Sequence, residues 1–268
     1  RERNPRPEWA ARSAIALTPL LTTRGPWRAH RRILQEALLC AEATRDDMLI
    51  ARAACALSAG LTIHGPIAEA DRVLSGTYET LAGPEGLPYT IHNLIIHAHI
   101  VAWLDRDDSA QRMLDRAERL LEKVPSASPF LEREWAHLEL QRAFLCQRLQ
   151  TQEAWERAYD HIERATTRAD AASLRRLGYL CRYLRGQILL QLGRPQESYA
   201  SLQAAIEGLV RIGESSAEAT GLQWLARAAR SSGEIEDAEE LLGQGIALAR
   251  QRTDLESEVL LQAEWVEH

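Results

Sequence analysis

Residues 185–205 read RGQILLQLGRPQESYASLQAA, and residues 225–245 read LARAARSSGEIEDAEELLGQG. Laid over each other, the two stretches share one plan. A small residue (Gly186, Ala226) is followed seven positions later by glycine (Gly193, Gly233). Beyond the glycine come a small residue, an aliphatic one and another small one: Ser198, Leu202, Ala205 and then Ala238, Leu242, Gly245. Steps of four and three put those three side chains on one stripe of a helix. Glycine stops one helix and Pro195 opens the next, so each stretch predicts two helices joined by a tight turn. The offset between them is forty residues, and self-similarity at such a period marks stacked helical hairpins.

The same plan runs along the whole chain. The small residues that anchor the first helices are Thr18, Ser58, Ala98, Cys146, Gly186 and Ala226. The interval is forty throughout, apart from eight additional residues between Ala98 and Cys146, assigned to the Pro/Ser-rich loop Lys123–Pro129. Twelve residues past each anchor stand His30, Ala70, Ala110, Ala158, Ser198 and Ala238, and then Leu34, Leu74, Leu114, Ile162, Leu202 and Leu242. The third stripe position is held by Ala37, Thr77, Ala117, Ala165, Ala205 and Gly245. At the turns, Gly25-Pro26, Gly65-Pro66, Gly193 and Gly233 supply a left-handed-tolerant residue, while Asp105 and Glu153 take that place in units three and four.

Six hairpins are predicted, near 8–43, 46–82, 88–123, 130–169, 172–212 and 216–250, with a terminal helix at 254–267. Within them the second hairpin's second helix is placed at 67–82, and Pro19 predicts a kink or a late start of the first helix. The terminal helix either caps hairpin six or opens a seventh unit. No sustained period-two alternation suggests a strand. The fold class is all-α: a right-handed α-solenoid forming one superhelical domain over 1–268, read as a segment of a larger protein.

Composition sets outer limits on function. Hydrophobic residues make up 46% and charged residues 26%, ordinary for a soluble folded chain. No apolar run reaches the ~18 residues of a membrane span, and no signal peptide precedes the helices. The net charge of −6 gives no overall basic field for a nucleic-acid backbone. Cys40, Cys55, Cys146 and Cys181 are scattered without a C-x-x-C pair, which fits reduced thiols in a cytoplasmic protein.

The order of small anchor, glycine, small, aliphatic and small residues resembles the tetratricopeptide repeat, best at Gly186, Gly193, Ser198, Leu202 and Ala205. Its usual units have about 34 residues and these have forty, the difference lengthening each helix pair by about 9 Å. Forty-residue units of this kind resemble the sensor arrays of MalT/LuxR-type ATP-dependent bacterial regulators. That resemblance implies effector or partner binding that controls an attached switch in signal transduction or transcription. No P-loop is present in this stretch. The chaperone-gripping members use asparagines and lysines on first helices. Here there are only Asn4, Asn93 and the loop residue Lys123.

Catalytic and metal motifs are not carried by spacing. His92, His97 and His99 stand near Asp105, Asp107 and Asp108, but lack the i, i+4 pairing of a helical metal site. No G-x-S-x-G elbow occurs, and no Cys–His pair is suggested by spacing. Trp27 and Trp155 recur two residues after the expected turn, as a packing slot does. The expectation is a non-enzymatic chain with no cofactor and no metal. The resemblance implies that first helices line the concave groove. Positions just before and after each anchor make its N-terminal half apolar and its C-terminal half polar. The expected groove residues are Tyr183, Gln187, Gln191, Gln223, Arg227, His99 and Trp103. Amides and a guanidinium around an aromatic suit a polar effector or a peptide. Expected partners are therefore a protein, a peptide or a small-molecule effector, with neither nucleic acid nor membrane. A stand-alone interaction scaffold or a self-associating homo-oligomeric array is the alternative.

Overall fold

The computed structural model describes residues 6–24, 27–79, 81, 83–126, 128, 130–214, 218–252 and 255–266. Among them thirteen helices and no strand occur: α1 (Pro7–Arg24), α2 (Trp27–Thr44), α3 (Asp47–His64), α4 (Ile67–Leu74), α5 (Leu87–Trp103), α6 (Asp107–Leu121) and α7 (Leu131–Gln147), then α8 (Gln152–Ala171), α9 (Arg175–Gln191), α10 (Pro195–Arg211), α11 (Glu218–Ser231), α12 (Ile235–Arg252) and α13 (Leu255–Val266). The chain is an all-α array of tetratricopeptide-like helical hairpins. It divides into two compact units, Arg1–Gln141 and Arg142–His268.

In the first unit α1 packs on α2, α3 on α4 and α5 on α6, while α1 also meets α3 and α3 meets α5. In the second unit α9 pairs with α10 and α11 with α12, while α9 meets α11 and α11 meets α13. Within each unit, α1, α3, α9 and α11 therefore touch both their own partner and the first helix of the next hairpin.

The second-helix stripe forms the seam of each hairpin. Leu34, Leu74, Leu114, Ile162, Leu202 and Leu242 are all buried, as are the small residues one turn before them. A fourth seam position follows at Leu121, Ala169, Leu209 and Ala249, again buried. At the crossing of α9 and α10 there is no room for a side chain on Gly186, whose Cβ would stand 2.5 Å from Leu202 Cγ.

Turns are closed by a shared hydrogen-bond pattern. Gly193 N–H donates to Leu190 O at 3.1 Å and Arg194 N–H to Leu189 O at 2.9 Å, the paired bonds that cap a helix through a left-handed residue. Gly233 (φ 87°) and Asp105 (φ 56°) close their helices in the same way.

Four local expectations are corrected. The left-handed residue of the fourth hairpin is Gln150 (φ 50°), not Glu153, which lies inside α8. Thr151 caps α8 by accepting from Ala154 N–H at 3.2 Å, so this helix begins a turn early and reaches 20 residues. Its stripe of Ala158, Ile162 and Ala165 keeps the expected positions. On α7 the buried small residue is Ala143, three positions before the expected Cys146, which is partly exposed. Second, α4 ends at Leu74, not near 82, because Gly76 turns left-handed (φ 79°) and Thr77 instead donates its hydroxyl to Leu74 O at 2.9 Å. Third, Gly65 is extended (φ −145°), and its role is close approach: a Cβ there would meet Leu61 Cδ2 at 2.6 Å. Fourth, α1 has no late start, since it runs from Pro7 through Pro19. The Gly25-Pro26 turn, the Trp27 side chain and Pro129 lie outside what is described.

Candidate functional site

Three histidines on α5 point to three different partners. His97 is buried and engaged at both nitrogens, with Nε2 2.8 Å from Asp71 Oδ1 and Nδ1 2.7 Å from the Tyr78 hydroxyl. Arg106 Nη2 approaches the other Asp71 oxygen at 2.6 Å. Burial alone would raise the Asp71 carboxyl, but the hydrogen bonds from His97 and Arg106 outweigh it and hold it below the ordinary range. Burial, helped by the adjacent Glu79, pushes the Tyr78 phenol up to about 12. Unwinding of α4 after Leu74 is what brings Tyr78 to this ring.

His99 takes a different surrounding. The Trp103 indole N–H donates to His99 Nε2 at 3.0 Å, and the two rings stand edge to face with centroids 6.1 Å apart. Burial drives the His99 imidazole down to about 4, only partly opposed by the nearby Gln141 amide. A neutral ring accepting from an indole is the consequence. Trp103 itself is 53% exposed, so this pair offers an aromatic plate to the outside.

His92 reaches across to α7. Its Nδ1 stands 3.0 Å from Glu134 Oε2, while Arg133 Nε contacts the other oxygen at 2.7 Å. Burial works against the His92 imidazolium, yet Cys55 on α3 and the hydrogen-bonded Glu134 more than offset it and raise the ring above its ordinary value. Burial likewise opposes ionisation of Glu134. His92, through charge and a hydrogen bond, and the charges of His137 and Arg133 hold that carboxyl down to about 2. The His137 ring stands edge-on to His92, with centroids 5.8 Å apart. Among the described residues no three His, Cys, Asp or Glu side chains converge in a way that would hold a metal ion.

In the second unit, α9 and α11 carry the polar set expected from sequence, and α13 completes it. Burial pushes the Tyr183 phenol up to about 12, only partly opposed by Thr220, Gln187 and Arg227. The ring packs beside Leu202, Ile206, Leu225 and Ala228. Gly221 sits 3.6 Å, measured from a Cβ built on it, from the ring edge. Arg227 lies over the Trp224 ring at 4.8 Å from its centroid. Its Nε donates to Glu264 Oε2 at 2.7 Å, and Gln223 Nε2 donates to the same oxygen at 3.2 Å. Arg230 approaches Glu264 Oε1 at 3.6 Å. Burial opposes the charge on Glu264, but Arg227, Gln223 and Arg230 together keep its carboxyl below the ordinary range. Three donors from α11 thus surround one carboxylate.

The expected residues therefore separate into two groups. Tyr183, Gln187, Gln223 and Arg227 come together on α9 and α11, whereas Gln191 is exposed at the end of α9. His99 and Trp103 form a pair of their own in the first unit. Glu264, Thr220, Glu134 and Cys55 were missed as partners. Glu264 stands 41 residues beyond Gln223 and 37 beyond Arg227, off the forty-residue positions of both, so the repeat spacing does not single it out. The approach of Cys55 to His92 joins two helices and carries no spacing signal.

No protein-family model and no curated protein sequence matches the chain. Its fold is similar to solved structures at low identity. One is a signal transduction ATPase with numerous domains, carrying a tetratricopeptide repeat sensor, from Pyrococcus horikoshii, with TM-score 0.68 and 14% identity. That likeness covers 95% of this chain and 37% of the other, so the chain spans little more than a third of that protein. A Rap protein complexed with competence and sporulation factor gives TM-score 0.63 at 14% identity, over 96% of this chain and 78% of that one. Aspartyl phosphate phosphatase F from Bacillus subtilis gives 0.58 at 9% identity, over 95% and 78%. Among the described residues no helix is long and apolar enough to cross a membrane.

Proposed function

We propose that residues 1–268 form one continuous, non-enzymatic docking array that receives a carboxylate-bearing effector or peptide on the first-helix face of α9, α11 and α13. The observation that carries this reading is the triple engagement of Glu264 by Gln223, Arg227 and Arg230. A face that already wraps one carboxylate in an amide and two guanidinium groups has the chemistry to hold another. Tyr183, Gln187 and Thr220 lie on the same two helices and add a phenol, an amide and a hydroxyl for orientation. Arg227 rests on Trp224 and is partly open to solvent, so an incoming carboxylate competes with Glu264 for it.

Such exchange alters the contact between α11 and α13 and so transmits occupancy along the stack. In a larger cytoplasmic bacterial regulator of signal transduction or transcription, that change would bias an attached switch. Similarity of fold to a sensor-bearing signal transduction ATPase supports this setting.

The test is thermal unfolding of the chain against small carboxylates and peptides with free or amidated C-termini. Ligand at 100 times its dissociation constant adds about 2.7 kcal/mol, read as a raised midpoint. Binding of free-carboxylate peptides or small acids, lost on amidation and strengthened by Glu264→Gln, supports the reading. Equal binding of amidated peptides, or no shift with any carboxylate, contradicts it.

A further inference from the structure

We infer that the groove between α8 and α10, floored by α9, binds a zwitterion of free amino-acid size. Arg182 and Arg185 take its carboxylate, and Glu163 and Glu197 take its ammonium group. The site lies within the second unit, and none of its residues belongs to the carboxylate-docking set.

Helical spacing builds it. Tyr159, Glu163, Thr166 and Asp170 fall on one face of α8, and Arg182 and Arg185 stand one turn apart on α9. Glu197, Ser201 and Ala204 share a face of α10. Between these helices lies a cavity of about 330 Å³, at the small end of the ~300–1,000 Å³ usual for small-molecule sites. The short side chains of Thr166, Ala200, Ser201 and Ala204 line it beside the charged groups and leave the space open. A Cβ on Gly178 would stand 3.0 Å from both Arg182 Nη1 and Asp170 Oδ1, so the glycine leaves that ion pair its room.

Three arginines meet three carboxylates around this space: Arg182 pairs with Asp170, Arg185 with Glu163 and Arg194 with Glu197. Their charges cancel. An added anion would sit beside three carboxylates, and an added cation beside three guanidinium groups. A ligand carrying both charges fits where either alone does not.

Hydrogen-bonding capacity remains on both sides. Arg185 gives Nε to Glu163, but its Nη1 reaches Ser201 Oγ only at 3.5 Å and its Nη2 the Tyr159 hydroxyl only at 3.4 Å. Both lie beyond the ~2.7–3.2 Å of a good N–H···O bond, so a closer acceptor improves on them. The Arg185 side chain is 28% exposed and lies over the Tyr159 ring, 5.8 Å from its centroid, which holds its head in place. Among the described residues Glu163 is engaged through Oε1 only, which leaves Oε2 for an ammonium group. Glu163 and Glu197 are 43% and 51% exposed, and ion pairs this open hold weakly enough to turn toward a ligand.

The test is calorimetric titration of the full chain at pH 7 with each of the proteinogenic L-amino acids, and with the N-acetyl and amide derivatives of any that bind. At least one amino acid is expected to bind at one site per chain, and either derivative to bind about tenfold or more weakly. N-acetylation keeps the carboxylate that the docking face of α9, α11 and α13 takes and removes the ammonium needed here, so the two readings fail separately. Arg185→Gln is expected to weaken binding about tenfold or more. Ala204→Leu, at an exposed helical position where leucine is a good helix former, is expected to fill the cavity and abolish binding at an unchanged urea midpoint. The inference is overturned if no amino acid saturates at millimolar concentration, or if an N-acetyl derivative binds as tightly as its parent. Unchanged binding by the folded Ala204→Leu chain overturns it equally. Should Arg185→Gln fail to fold, Ala204→Leu decides alone.

Discussion

The Ser198 hydroxyl donates to the Gly186 carbonyl at 2.7 Å, and this contact fixes how closely α9 and α10 cross. In the second hairpin the same contact appears with its chemistry reversed. There Ser58 on the first helix donates to Ala70 O on the second, at 3.0 Å and the same separation of twelve residues. Backbone meets backbone at the crossing, and one small hydroxyl serves from either side. Gly186→Ala is expected to destabilise the chain by about 1–3 kcal/mol, since its methyl would overlap Leu202. Ser198→Ala is expected to cost about 0.5–1.5 kcal/mol, because alanine fills this slot in other hairpins. Urea unfolding of the two variants checks the order. A Gly186→Ala chain as stable as the parent would refute the close crossing.

Stability is expected to fall on mild acidification through His99. Its folded value is depressed to about 4, so below the unfolded value near 6.5 only the unfolded chain gains the proton. Stability is therefore full above pH 6.5 and is lost between 6.5 and 4, at about 1.4 kcal/mol per unit. His30, lowered by burial, acts in the same direction. Comparing urea midpoints at pH 7.5 and 5.5 for the parent and His99→Gln checks this. The variant should lose part of the dependence.

His92 works in the opposite window. Its folded value is raised, chiefly by Cys55 and Glu134 against burial, so its contribution is complete below 6.5 and is lost as pH rises beyond it. Glu134→Gln removes one of the two partners that raise the ring. Nuclear magnetic resonance titration of His92 in this variant should give a lower midpoint than in the parent.

Glu264 ties the last helix to α11, so its removal should act locally. In Glu264→Ala, Arg227 and Arg230 lose this carboxylate and α13 loses its polar anchor. Hydrogen exchange should quicken across 255–266 while α9 and α10 stay protected. Equal acceleration in α9 and α10 would show that Glu264 is not a local clamp.

The repeat was legible because its signal is redundant. Ala158, Ile162 and Ala165 match their counterparts forty residues on, and burial of a seam needs small and aliphatic residues in fixed order. Turn details were less legible. All eight surplus residues between Ala98 and Cys146 were assigned to one loop, although α8 absorbs part of them as an early turn at Gln150. The α4 break rests on Gly76, a single glycine that a helix would have tolerated at a cost of about 1 kcal/mol. Polar partnerships were hardest to see. Tyr183 and Gln187 lie on one helix and show a regular spacing, whereas Cys55, His92 and Glu134 meet only because α3, α5 and α7 follow each other as first helices.

The most direct test of the docking account is hydrogen exchange of the chain with and without saturating free-carboxylate peptide. The account predicts added protection in α9, α11 and α13, at the helices bearing Tyr183, Gln223, Arg227 and Glu264, with α10 and α12 unchanged. Protection confined to the second helices α10 and α12, or none at a concentration that saturates binding, would contradict it.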